Sequence, residues 1–130
     1  MILMDTCAII WDALDQPMTP KALTAINNAD AHNALIICDI SIWEISMLIK
    51  KGRIEVATTP ANFINLFLQS RNIEVVSISP EIADLSVNIG TEINNDPADR
   101  IIAATSIIKN AQLITADANL LSCGLIDTLW

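Results

Sequence analysis

Four carboxylates occupy places where an alternating strand and helix chain would bring them together. Asp5 follows the apolar run Ile2-Leu3-Met4. Glu44 lies inside the apolar segment Ile40 to Lys50, Asp99 falls in the first turn of a helix opened by Asp96-Pro97, and Asp117 follows Gln112-Leu113-Ile114-Thr115. Carboxylates crowd one another only when protons or cations neutralise them. An oxygen-only donor set with no His or Cys points to Mg²⁺ or Mn²⁺. Such an ion can activate water, orient a phosphodiester and stabilise the charge of an in-line displacement.

Each acid also has a plainer reading. Asp5 and Asp117 suit strand-end turns, and Asp96 and Asp99 fit a capped helix start with an acid at the third position. Glu44 has a salt bridge to a lysine such as Lys51 as its alternative. Thr6 and Thr115, beside the strand-end acids, could hydrogen-bond carboxylates or water and are equally read as β-formers. Lys50, Lys51 and Arg53 could contact a polyanion, although a helix C-terminus accounts for them as well. Trp11, Trp43 and Trp130 read as core or interface residues before base-stacking platforms.

The elements that must position these residues alternate. Ile2-Leu3-Met4, Leu35-Ile36-Ile37-Cys38, Ile73 to Ile78, Gln112 to Thr115 and Ile126 to Trp130 read as strands, the last at an edge. Helices are expected from Cys7 to Leu14, from Thr19 or Pro20 to about Asn28, and from Ile40 to Lys50. Further helices run from Thr59-Pro60 to about Gln69, from Pro80 onward through Ile82, Leu85 and Ile89, and behind Pro97, with a short helical turn at Leu120-Leu121. Leu23 and Ile26 are spaced for one buried face, as are Phe63, Leu66 and Phe67. The Ile40–Lys50 segment is apolar nearly all round and so reads as a helix buried on most sides, with Glu44 sharing a face with Ser41. This alternation predicts an α/β fold with a central, mostly parallel sheet flanked by helices on both faces. Open sheets of that kind bind their ligands at the carboxyl ends of the strands, where Asp5 and Asp117 stand.

Composition narrows the class. At 130 residues and 52% apolar, with no repeat, linker or low-complexity tract, the chain reads as a single domain over 1–130. No run is long enough to span a bilayer, and Asp5 interrupts any cleavable leader, so a cytoplasmic location away from membranes is expected. Cys7, Cys38 and Cys123 show no CxxC spacing and read as reduced, buried thiols. The lone His32 excludes a multi-His metal site or a His-based triad. With 7 basic residues against 15 acidic ones the formal charge is -8, which suits a cationic partner and disfavours nucleic acid unless a divalent cation reverses the local sign.

At these residues the chain resembles the PIN-domain ribonucleases, and within them the VapC-type toxins of toxin–antitoxin pairs. The matching pieces are Leu3-Met4-Asp5-Thr6, Ser41-Ile42-Trp43-Glu44-Ile45 with Lys51-Gly52-Arg53-Ile54, Asp96-Pro97-Ala98-Asp99-Arg100-Ile101-Ile102-Ala103-Ala104, and Leu113-Ile114-Thr115-Ala116-Asp117. They recur in order along the whole chain. The resemblance implies a Mg²⁺-dependent endoribonuclease with Asp5, Glu44 and Asp99 as central acids and Asp117 as the fourth, catalytic and metal-holding at once, supported by Thr6, Asp96 and Thr115. It also implies an RNA substrate, a homodimer and a small cognate antitoxin. Lys50, Lys51, Arg53 and Arg100 are the candidate RNA contacts. Asn94-Asn95 stands where related toxins often carry basic residues. A catalytically silent acidic module that binds a basic protein is the alternative. A phosphotransfer domain is excluded, because haloacid-dehalogenase-type enzymes want an Asp where Cys7 stands, and receiver domains want a Lys near the place of Asp117.

Overall fold

A computed structural model describes all residues 1–130. Five short strands, β1 (Ile2–Met4), β2 (Leu35–Cys38), β3 (Ile73–Val76), β4 (Gln112–Ile114) and β5 (Thr128–Leu129), alternate with seven helices. The helices are α1 (Thr6–Ala13), α2 (Pro20–Ala31), α3 (Asp39–Lys50), α4 (Pro60–Ser70), α5 (Pro80–Asn88), α6 (Pro97–Lys109) and α7 (Ala118–Ser122). The sheet is wholly parallel, in the order β3-β2-β1-β4-β5. β1 is central, with Leu3 opposite both Ile36 and Leu113.

Both sheet faces are buried, which is why the strands read as continuous apolar runs. One face presents Leu3, Ile36 and Leu113 to Ile82 of α5, Ile102 of α6 and Leu120 of α7. The other presents Met4, Ile37 and Ile114 to Ile9 of α1, Ile26 of α2, Ile45 of α3 and Phe67 of α4. Each fully buried side chain of this size contributes about 1.5–3 kcal/mol relative to exposure. The chain winds outward through β2 and β3 with its helices on one face, then crosses β1 to β4 with its helices on the other. The winding therefore reverses beside β1, the kind of switch point at whose carboxyl edge open sheets bind ligands.

Local chemistry sets the boundaries. Thr19, Thr59, Ser79, Asp96 and Asp117 each cap a helix by accepting a backbone N–H, and proline fills the first turn of α2, α4, α5 and α6. Gly52, at φ +71°, makes the left-handed turn after α3 that a side chain would resist. No helix is long and apolar enough to cross a membrane.

Several expectations need correction. β5 is only Thr128–Leu129, because register exists only opposite Leu113 and Ile114. β3 stops at Val76, where pairing with Cys38 ends. Leu23 and Leu66 point outward, 41% and 55% exposed, while Ile26, Phe63 and Phe67 are buried. The α3 helix is not buried on most sides: only Ser41 and Ile45 are buried, and Trp43 is 59% exposed. Cys7 is exposed, whereas Cys38 and Cys123 are buried as free thiols. Trp11 and Trp130 pack edge to face with ring centroids 5.1 Å apart, joining the two chain ends.

Candidate functional site

Asp5 leaves the end of β1 and caps α1. Its backbone N–H donates to the Ile114 carbonyl at 3.1 Å, so the residue is pinned to β4 as β1 ends. Its Oδ1 accepts the Ala8 N–H at 2.8 Å, which fixes the carboxylate at the helix start. The residue is 5% exposed. Burial pushes its carboxyl from the ordinary 3.8 up to about 6, against the lowering effect of hydrogen bonds from Thr115 and Ala8, and the charges of Asp99 and Asp117 add to the rise. Thr115 links two acids, since its hydroxyl oxygen also accepts the Asp117 N–H at 3.0 Å. Asp117 in turn caps α7, its Oδ1 taking the Leu120 N–H at 3.0 Å.

Glu44 enters from α3 on one side of the sheet. The Thr6 hydroxyl donates to Glu44 Oε1. Its single proton being committed there, Thr6 accepts from Ser41 Oγ at 3.0 Å. Ser41 and Glu44 thus share a helix face, as their spacing predicts, and the buried Thr6 hydroxyl, itself bonded to Ser41, holds the carboxylate. No lysine reaches Glu44; the two ion pairs of the chain are Arg71 with Asp12 and Arg71 with Asp30. Partial burial raises the Glu44 carboxyl above its usual range, Thr6 opposes this, and the charges of Asp96 and Asp99 add to it.

Asp99 enters from α6 on the opposite side. Asp96 caps the helix by accepting the Asp99 N–H at 3.2 Å, so the capping reading of Asp96 is correct, and the cap sets where Asp99 points. Asn94 Nδ2 donates to Asp99 Oδ2 at 3.0 Å, Asn94 Oδ1 accepts the Asp96 N–H at 2.8 Å, and Asn119 Oδ1 accepts both Asn94 N–H groups. Burial raises the Asp99 carboxyl, Asn94 lowers it, and Asp96 and Asp117 raise it further.

These shifts show which acids share one place. Asp5 senses Asp99 and Asp117, Asp99 senses Asp96 and Asp117, and Glu44 senses Asp96 and Asp99. Cys7, in the first turn of α1, is an exposed residue whose thiol is nonetheless pushed up to about 11 by partial desolvation and by the charges of Asp5, Glu44, Asp99 and Asp117. Asp5, Glu44, Asp99 and Asp117 therefore lie within electrostatic reach of one another at the carboxyl edge beside β1, with no basic side chain paired to any of them. They are not drawn into a cage: no three acidic, His or Cys side chains converge closely enough to hold an ion as they stand. The donor set nonetheless fits a hard cation, because it is all oxygen, carries unpaired negative charge and includes three carboxyls destabilised as anions.

The basic residues divide. Lys50, Lys51 and Arg53 are exposed at the C-terminal end of α3. Arg100 is not available to a substrate phosphate. Its guanidinium donates to the carbonyls of Ser86 at 2.9 Å, Ile93 at 3.2 Å and Asn94 at 3.4 Å, and to that of Ile89. It is a structural residue that ties the end of α5 and the following loop to α6. Asn94 and Asn119 were not among the expected site residues. The only sequence signal for Asn94 was its place beside the Asp96 cap; Asn119 carried none, because its partner lies 25 residues away.

The chain matches the family model for the PIN domain over residues 2–123. It is 31% identical to Ribonuclease VapC22 of Mycobacterium tuberculosis over 122 residues, covering 93% of this chain and 90% of that protein. Among solved structures it superposes on VapBC2 from Rickettsia felis, bound to a promoter DNA fragment, with a TM-score of 0.75, 18% identity and coverage of 99% and 98% of the two chains. DNA-bound VapBC from Salmonella typhimurium gives 0.72, with 16% identity and coverage of 98% and 96%. The structural matches establish the fold, and the sequence matches establish descent: the chain belongs to the PIN-domain family, and within it to the VapC type.

Proposed function

We propose that this protein is a divalent-metal-dependent endoribonuclease that acts as the toxin of a toxin–antitoxin pair. The observation that carries the reading is that Asp5, Glu44, Asp99 and Asp117 lie within electrostatic reach of one another with no basic side chain paired to them. The ribonuclease relative at 31% identity supports the substrate class. Asp5, Glu44 and Asp99 would hold Mg²⁺ or Mn²⁺, and Asp117 would hold a second ion or position water. A bound ion supplies a more acidic water and neutralises phosphodiester charge.

The chain's own residues contribute orientation and charge. Asp5 is ionised above about pH 6, and its Oδ1 is fixed by the Ala8 N–H. Thr6, itself bonded to Ser41, donates to Glu44, and Asn94 donates to Asp99. Thr115 sets the spacing of Asp5 and Asp117. A homodimer, a small cognate antitoxin that covers the site and a cytoplasmic location belong to the same proposal, through the VapC relationship.

The test is cleavage of a mixed pool of structured RNAs in Mg²⁺ or Mn²⁺ and in EDTA. Cleavage should require the ion, and Asp5→Asn should abolish both cleavage and growth inhibition while circular dichroism shows an intact fold. Cleavage by Asp5→Asn at the full rate overturns the assignment. Absence of cleavage with either ion, together with saturable binding of a basic peptide, would instead favour a catalytically silent acidic module.

A further inference from the structure

Trp43 occupies an unusual place. It precedes Glu44 in the chain, so its side chain leaves α3 about 100° around the helix axis from the carboxylate that Thr6 holds. Glu44 is half-buried against Thr6, whereas Trp43 is 59% exposed. The other two tryptophans are packed against each other and partly buried, and both phenylalanines are buried, which leaves Trp43 as the one exposed Trp or Phe ring. Spacing of four and three residues puts Met47 and Lys50 on the same outward stripe, Lys50 about 10 Å further along the axis. Lys51 and Arg53 follow at the helix end, on either side of the turn made by Gly52.

Charge placement is equally uneven. The chain has 7 basic residues against 15 acidic ones. Arg71 is spent on Asp12 and Asp30, and Arg100 on backbone carbonyls. Of the five basic side chains that remain, three are Lys50, Lys51 and Arg53, within four consecutive positions. An acidic protein that handles a polyanion needs its free positive charge concentrated near the reacting centre, and here it lies two helical turns from Glu44.

We propose that the outward face of α3 is the track on which single-stranded RNA enters the site, with Trp43 stacking a base beside the scissile phosphate and Lys50, Lys51 and Arg53 holding phosphates further along. An exposed ring next to a catalytic group and a cationic run continuing from it are the two components of single-strand binding: a π-surface for a base and charge for the backbone. Stacking tolerates any base, so the track sets affinity and register, leaving sequence choice to other contacts. This inference rests on the ribonuclease reading above.

The test separates binding from cleavage by working in EDTA. A fluorescein-labelled, unstructured RNA oligonucleotide is titrated with wild-type protein, Trp43→Phe, Trp43→Ala and the triple variant Lys50→Gln/Lys51→Gln/Arg53→Gln, and anisotropy is read. Trp43→Ala should weaken binding by roughly 5- to 150-fold, the range of one lost base stack, and Trp43→Phe should restore most of it. The triple variant should flatten the dependence of log affinity on log salt by about 2, three phosphates at roughly 0.7 each. Tryptophan emission should quench on binding in the wild type and much less in Trp43→Phe. Wild-type affinity and wild-type cleavage in Trp43→Ala overturn the track while leaving the ribonuclease reading intact. Unchanged RNA affinity combined with a changed oligomeric state in sedimentation also overturns it, because α3 would then be a protein interface. A wild-type protein that neither binds nor cuts RNA removes both readings at once.

Discussion

Asp5→Asn is informative beyond catalysis, because its effect on stability follows from the site's geometry. The carboxyl titrates at an ordinary 3.8 and in the fold at about 6. A raised folded value means that the folded protein keeps the proton longer than the unfolded chain. The resulting stability is complete below pH 3.8, is lost as pH rises through 6, and is absent above. A difference of about two pH units corresponds to about 3 kcal/mol at 1.36 kcal/mol per unit. Asparagine resembles the protonated acid. Its Oδ1 still accepts the Ala8 N–H, preserving the cap, and its amide can donate to the Thr115 hydroxyl, which has a second lone pair beside the one facing Asp117. In EDTA at pH 7.5 the variant should therefore be more stable than the wild type by up to about 3 kcal/mol, or roughly 10 °C in Tm for a domain of this size. At pH 4 the difference should nearly vanish. The assay is thermal unfolding by circular dichroism from pH 4 to 8, repeated with Mg²⁺, which should stabilise the wild type selectively by binding the folded state. A variant less stable than the wild type at pH 7.5 in EDTA, or one whose advantage stays constant down to pH 4, refutes the claim that Asp5 is a strained, unpaired anion.

Two further predictions concern the supports of the site. Asn94→Ala removes the donor to Asp99 and the acceptor for the Asp96 N–H. It should lower kcat/KM for RNA by about 10-fold or more, the worth of a hydrogen bond to a charged group, and raise the Mg²⁺ concentration for half-maximal activity; an unchanged Mg²⁺ profile counts against Asn94 as a positioning residue. Arg71→Leu strips Asp12 of its two-pronged partner at 2.7 and 2.8 Å, and Asp30 of its contact at 3.1 Å. With the Asp12 side chain only 9% exposed, urea denaturation should show a loss of about 3 kcal/mol, partly recovered in Arg71→Leu/Asp12→Leu; equal stability of wild type and single variant would refute a structural role for the pair.

Much of this architecture is visible in the residues, for reasons that also mark where reading stops. Leu35–Cys38 declares itself because a central parallel strand has no solvent face, so all four residues are apolar and buried. The convergence of Asp5, Glu44, Asp99 and Asp117 follows from topology, since parallel crossovers deliver every strand end to the same edge. The environment of α3 does not follow. An apolar helix surface looks the same in sequence whether it faces a core or stands free, and Trp43 stands free. Arg100 misleads for a related reason: its role depends on the path of the loop after α5, whose carbonyls it gathers, and a loop path has no periodicity to read. Asn94 and Asn119 meet only because α7 folds back beside that loop.

The central place of β1 carries a consequence for how the molecule comes into being. Met4 is made well before one of its neighbours in the sheet, Ile114, which lies far along the chain. Until β4 has emerged and paired, Asp5 has neither its Ile114 anchor nor the Thr115 bridge to Asp117. Non-local pairing of this kind is also slow to form. A ribosome partway along the message therefore holds a chain with three of the four acids and no assembled centre. Whatever chemistry the centre performs therefore waits on the pairing of β1 with β4.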